Sequence, residues 1–122
     1  MKKKILIVDD EPSVVKLLSK QLEVNGYKAY GVNDCYHCIK MAKEVKPDLI
    51  LLDMQMPAGG GIHAFEGLKA SIYTSTIPII FITAVPGEEV KKLIMELGAD
   101  GFFQKPFKIA ELLKKIEELI GK

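Results

Sequence analysis

The sequence predicts an α/β fold: a doubly wound, five-stranded parallel sheet with five helices. Two observations carry that prediction. Ile5-Leu6-Ile7-Val8, Leu49-Ile50-Leu51-Leu52 and Ile79-Ile80-Phe81-Ile82 are near-continuous apolar runs, as expected of strands covered by helices on both faces. Amphipathic segments alternate with these runs, so each strand is followed by a helix, the pattern of strand–helix–strand units.

The remaining elements follow in chain order. Tyr27 to Val32 is a half-polar strand suited to a sheet edge, and Phe102-Phe103 marks a short last strand. Val14, Val15, Leu18 and Leu22 form one face of a first helix. Asp10 or Glu11 opens it, Pro12 sits in its first turn and Asn25-Gly26 closes it. Residues 35–45 and 62–71 supply the second and third helices. Val90, Leu93, Ile94 and Leu97 line the fourth, which ends at Gly98. Ile109, Leu112, Leu113, Ile116, Leu119 and Ile120 give the fifth a full 3.6-residue period, and Lys114, Lys115, Glu117 and Glu118 give it a solvated face.

A chain of 122 residues fits one domain, spanning 1–122, with no linker or repeat. Such a chain buries about two-thirds of its unfolded surface, enough for a core without staples. Seventeen basic residues against 16 acidic ones leave a net charge of +1, which gives no electrostatic reason to bind nucleic acid or an anionic membrane. No apolar run reaches the roughly 18 residues of a spanning helix. The basic start Met1-Lys2-Lys3-Lys4 resembles a signal peptide only briefly, because Asp9-Asp10-Glu11 interrupts the apolar stretch that follows. The expectation is a soluble, cytoplasmic protein.

The polar residues that follow the strands carry the chemistry. The first strand runs into Asp9-Asp10, the third into Asp53, the fourth into Thr83 and the fifth into Gln104-Lys105. Right-handed crossovers place these strand ends along one edge of the sheet, where ligands bind. A lone Asp at a strand end is usually a turn residue or helix cap. Three carboxylates, a hydroxyl and an ammonium on one edge are another matter. The carboxylates repel one another, Lys105 alone does not balance them, and a hard divalent cation such as Mg²⁺ does. Asp53 can then act as a nucleophile toward phosphorus, since phosphoryl transfer asks mainly for positioning and charge neutralisation. Thr83 can hydrogen-bond a phosphoryl oxygen, and Ala84 leaves room for the group.

The segments Ile5–Glu11, Pro47–Pro57, Ile77–Ala84, Gly98–Gly101 and Lys105–Phe107 make the chain resemble the receiver domain of two-component response regulators. The resemblance implies the flavodoxin-like strand order 2-1-3-4-5. It also implies that Asp53 is the phosphoacceptor and that Thr83 and Lys105 contact the phosphoryl group. Asp10 and Asp53 would ligate Mg²⁺ (or Mn²⁺) directly, Asp9 mostly through water, and Gln55 through its backbone carbonyl. Lys105-Pro106 is expected to be cis. The donor would be a sensor histidine kinase or a histidine phosphotransfer protein, docking on the first helix and on Pro106 and Phe107. Phosphorylation would draw Thr83 inward and let Phe102 turn into the vacated space. That would repack the face of the fourth helix, fifth strand and fifth helix toward a downstream protein target. Phe102 lacks the hydroxyl of the tyrosine often found there, and Phe103 is expected in the core. Gln55 and Val85 occupy the positions that tune phosphoryl lifetime in this family.

Other functions fit less well. A pseudo-receiver, binding partners without phosphorylation, is opposed by the complete set of Asp9, Asp10, Asp53, Thr83 and Lys105. A haloacid-dehalogenase-type enzyme needs Asp-x-Asp after the first strand, and a flavin carrier needs a hydroxyl- and glycine-rich loop there. The loop Pro57-Ala58-Gly59-Gly60-Gly61 is richer in glycine than the family's Met-Asp-Gly form, so a mobile loop is expected. It lacks the lysine of a nucleotide-binding loop. Cys35 and Cys38 form a C-x-x-C at a helix start, a placement that lowers thiol pKa in redox proteins. Yet they share a helical stripe with Ile39, Ala42 and Val45, which reads as core. His37 and His63 read as surface or helix-packing residues.

Overall fold

The structure is a computed structural model describing residues 1–54, 60–84 and 87–122. Strands β1 (Lys4–Val8), β2 (Lys28–Val32), β3 (Leu49–Asp53), β4 (Ile79–Thr83) and β5 (Gly101–Gln104) alternate with helices α1 (Pro12–Val24), α2 (Cys35–Val45), α3 (Gly60–Ala70), α4 (Glu88–Glu96) and α5 (Ile109–Ile120). All strand pairs are parallel, in the order β2-β1-β3-β4-β5. The expected fold and strand order are both present.

Side chains alternate across a strand, so the buried runs feed two cores. Ile5 and Ile7 of β1, Leu49 and Leu51 of β3, and Ile80 and Ile82 of β4 meet Leu18 and Leu22 of α1 and Leu112 and Ile116 of α5. The intervening residues Leu6, Val8, Ile50, Leu52, Ile79 and Phe81 meet Cys38 and Ala42 of α2, Ala64 and Leu68 of α3, and Ile94 of α4. Two helices thus cover one face and three cover the other, which is why the strands are apolar at every position.

Two aspartates fix the register at the edge where the strands begin. The Asp48 carboxylate accepts from the Lys4 N–H at 2.8 Å, and its own N–H donates to the Lys4 carbonyl at 2.8 Å. Asp100 does the same for β4, accepting from the Ile79 N–H at 3.0 Å and donating back at 2.9 Å. These pairs satisfy backbone groups that the first residue of a strand would otherwise leave open.

Three details differ from the sequence reading. α3 begins at Gly60 rather than at 62, so Gly60 and Gly61 belong to a helix and not to a mobile loop; residues 57–59 lie outside the described residues. The fourth helix buries Ile94 of its apolar stripe fully and packs Val90 half-buried against the core, while leaving Leu93 47% and Leu97 38% exposed. It packs beside β5, a four-residue edge strand too short to cover the stripe. Phe103 is half-buried rather than fully buried, its ring 5.7 Å from that of Phe107.

Candidate functional site

The carboxyl ends of the parallel strands share one edge, and the chain reverses its winding direction between β1 and β3. Crevices at such reversals bind ligands. Val8 leads into Asp9 and Asp10 there, and Asp53 is the last residue of β3. The three side chains each offer a carboxylate oxygen, all within 4.8 Å of one another. Asp9 and Asp53 are 3% and 5% exposed, whereas Asp10 opens to solvent. Oxygen donors from three carboxylates, one of them reachable from solvent, suit a hard divalent cation.

Lys105 reaches this cluster from the far side of the sheet. Its N–H donates to the Thr83 carbonyl at 2.7 Å, extending the β4–β5 ladder. Its ammonium donates to Asp9 Oδ2 at 3.0 Å and stands 3.8 Å from Asp53 Oδ2. In this state, then, Asp9 is its nearer partner. Burial alone would pull the ammonium's pKa down. The hydrogen bond to Asp9 and the charges of Asp53, Asp9 and Glu11 outweigh that and hold it above the ordinary lysine value. The other Asp9 oxygen, Oδ1, accepts from the Glu11 N–H at 3.0 Å, where Glu11 caps α1. Asp9 is therefore fixed from both sides, by the start of α1 and by Lys105.

Thr83 is fully buried at the end of β4. It lies two residues after Phe81, whose register partner on β5 is Phe102. Phe81 and Phe102 pack in the same core, so Thr83 and Phe102 project from one face of the sheet. Phe103 faces the opposite core. Pro106 and Phe107 line an apolar groove of about 430 Å³ with Val14, Leu17, Leu18, Gln21, Lys105 and Ile109. The Lys105-Pro106 peptide is cis, as expected. Gln55 and Val85 lie outside the described residues.

Gly61 is a site residue that the sequence reading missed. Its N–H donates to the Met54 carbonyl at 2.9 Å, and a Cβ on it would collide with the Asp53 carbonyl oxygen. Its lack of a side chain lets the start of α3 press against the backbone of Asp53. The signal in the sequence was a glycine eight residues after the acidic strand end, obscured by the glycines beside it.

The C-x-x-C motif stays apart from this site. Cys35 and Cys38 are both buried. Burial, with smaller contributions from Cys35 and Asp34, pushes the Cys38 thiol up to about 12, and burial and Asp34 raise Cys35. At a helix start a lowered value was the alternative; desolvation wins here. Both thiols should resist iodoacetamide in the folded protein at pH 8 and react once it is unfolded in urea. Rapid labelling of the folded protein would contradict this burial. His37 is exposed, with Nδ1 2.9 Å from both carboxylate oxygens of Asp34, the cap of α2; His63 is also exposed.

An open α/β sheet with buried aspartates at the β1 and β3 ends and a lysine after β5 describes a recognisable class. Residues 5–117 match the response regulator receiver domain, and the chain belongs to that family. It is 39% identical over 120 residues to the alkaline phosphatase synthesis transcriptional regulatory protein PhoP of Bacillus subtilis (strain 168), covering 98% of this chain and 49% of that one. It is 35% identical over 120 residues to the phosphate regulon transcriptional regulatory protein PhoB of Escherichia coli (strain K12), covering 98% of this chain and 52% of that one. The chain thus spans about half the length of these curated relatives. The solved structure of the Vibrio cholerae chemotaxis protein CheY4 superposes with a TM-score of 0.89 at 27% identity, covering 98% of this chain and 99% of that one. The chain is a receiver domain of the two-component type, a family in which aspartyl phosphorylation and Mg²⁺ binding are typical. Among the described residues, no helix is long and apolar enough to cross a membrane.

Proposed function

We propose that Asp53 accepts a phosphoryl group from the phosphohistidine of a sensor histidine kinase or histidine phosphotransfer protein. One observation carries this reading: three carboxylates converge within 4.8 Å at adjacent strand ends, with the Lys105 ammonium beside them. An Asp53 carboxylate oxygen forms the new O–P bond as the N–P bond of the donor breaks. The imidazole nitrogen leaves with the electron pair. Asp9, Asp10, Asp53 and the Gln55 carbonyl would hold Mg²⁺ (Mn²⁺ has the same donor preference), which supplies charge neutralisation and orientation for the phosphoryl oxygens. Lys105 and Thr83 take the remaining phosphoryl oxygens.

The same reading assigns the whole chain, 1–122, to one receiver domain, because β1 starts at Lys4 and α5 ends at Ile120. It makes the groove at Pro106, Phe107 and α1 the docking place of the donor, and membership of the response regulator family makes a cytoplasmic exchange the matching location. The output would run through Thr83 and Phe102, which share a sheet face, to the surface of α4, β5 and α5. A downstream protein would read that surface, without direct contact between this domain and nucleic acid. The complete acidic set with its lysine gives a phosphorylation-independent pseudo-receiver no support.

Incubation with Mg²⁺ and a small phosphodonor, followed by intact mass measurement, tests the assignment. The wild type should gain one phosphoryl group and Asp53→Asn none. An equal adduct on the variant, or no adduct on the wild type, would overturn it.

A further inference from the structure

We infer that Cys35 is a positioning residue for the phosphoacceptor, its thiol tethering the first residue of α3 to the first residue of α2. Cys35 Sγ donates to the Gly60 carbonyl oxygen at 3.1 Å. The next residue, Gly61, donates its N–H to the Met54 carbonyl at 2.9 Å and lies against the Asp53 carbonyl. A continuous path of contacts therefore runs from the Cys35 thiol through Gly60 and Gly61 to the backbone that carries the Asp53 carboxylate.

Local chemistry explains why this contact would matter. Gly60 sits at a positive φ of 70° and is followed by a second glycine, so the backbone at the start of α3 has little intrinsic preference for its conformation. Neither Gly60 nor Gly61 carries a side chain that could hold the start of α3. A donor from a neighbouring helix supplies an external hold instead. That helix is itself well seated, because Asp34 caps α2 by accepting from the His37 N–H at 2.8 Å. Burial keeps the Cys35 thiol protonated, so the S–H donor persists at neutral pH.

The kinetic arm of the test rests on the assignment of Asp53, and an exchange arm does not. Cys35→Ala should phosphorylate about fivefold more slowly than wild type at saturating Mg²⁺ and phosphodonor, the effect of one modest hydrogen bond. Cys35→Ser, which keeps a donor on the same Cβ, should recover most of the rate. Cys38→Ala, which removes a fully buried thiol that packs in the core, should lower the melting temperature and leave the rate unchanged. Amide hydrogen exchange at Gly61 should accelerate in Cys35→Ala and not in Cys35→Ser. Faster Gly61 exchange in a protein that takes up no phosphoryl group would retain the tether while removing the phosphoacceptor reading. A wild-type exchange rate at Gly61 in Cys35→Ala, or a serine variant as impaired as the alanine one, would overturn the tether itself.

Discussion

Lys105→Met should slow phosphorylation from a small phosphodonor by about 100-fold, the scale of removing one preorganised charge from a transition state. Phosphoryl transfer leans on charge neutralisation more than on covalent help, and the crevice already holds three carboxylates within 4.8 Å. An incoming phosphoryl group adds further negative charge. Lys105 is the cation seen in contact with this cluster among the described residues, 3.0 Å from Asp9 and 3.8 Å from Asp53. Methionine keeps the length and apolar stem of the side chain, so the change isolates the ammonium. A time course of intact mass at saturating Mg²⁺ reads the effect, and a rate within threefold of wild type would remove Lys105 from the chemistry. The same variant should melt lower without metal, because Asp9, 3% exposed, loses its ion-pair partner. Its Glu11 N–H contact remains. The Lys105 side chain is 21% exposed, so solvent screens part of the pair and the loss should stay below the ~3 kcal/mol of a fully buried one.

Much of this site could be read from the chain alone because parallel sheets impose an order on their ends. Once β1, β3 and β4 were recognised from uninterrupted apolar runs, Asp9, Asp53 and Thr83 had to share an edge. The Phe102 and Phe103 pair could likewise be split between two faces by the strand period. What escaped the sequence depends on distances across elements. That Lys105 rests nearer to Asp9 than to Asp53 follows from the path of the chain after β5, which no spacing encodes. The N–H of Glu11 bonded to Asp9 arises from how α1 begins, and the carboxylates of Asp48 and Asp100 serve backbone groups on strands distant in sequence. In the C-x-x-C, two rules competed: helix starts lower thiol pKa and burial raises it. Only the packing of Cys38 against the sheet decided for burial. The fourth helix misled for a related reason, since periodicity reports an apolar stripe but not whether a neighbouring strand is long enough to cover it.

Gly61→Ala should produce the second large effect, and its sign is a contest between two terms. Gly61 lies near the start of α3 at an ordinary φ, since it is absent from the glycines with positive values. On helix propensity alone, alanine there would stabilise by up to about 1 kcal/mol. Against this, the added Cβ would overlap the Asp53 carbonyl oxygen and stand 2.8 Å from the Met54 Cα, both backbone atoms. A flexible side chain could swing away from such a contact, but backbone in a central strand moves only with its neighbours. Overpacking of this kind costs about 3 kcal/mol, so the clash should win and lower the melting temperature by roughly 10 °C for a domain of this size. The displaced atoms carry Asp53, and misplacing a reacting group by about 1 Å costs up to 100-fold in rate. Phosphorylation should therefore fall more steeply than stability, a divergence that thermal melting and intact mass measured on the same sample would expose. A variant that melts higher than wild type would show instead that the start of α3 slides off β3 freely. The start of α3 would then be compliant enough to absorb a methyl group without disturbing the phosphoacceptor.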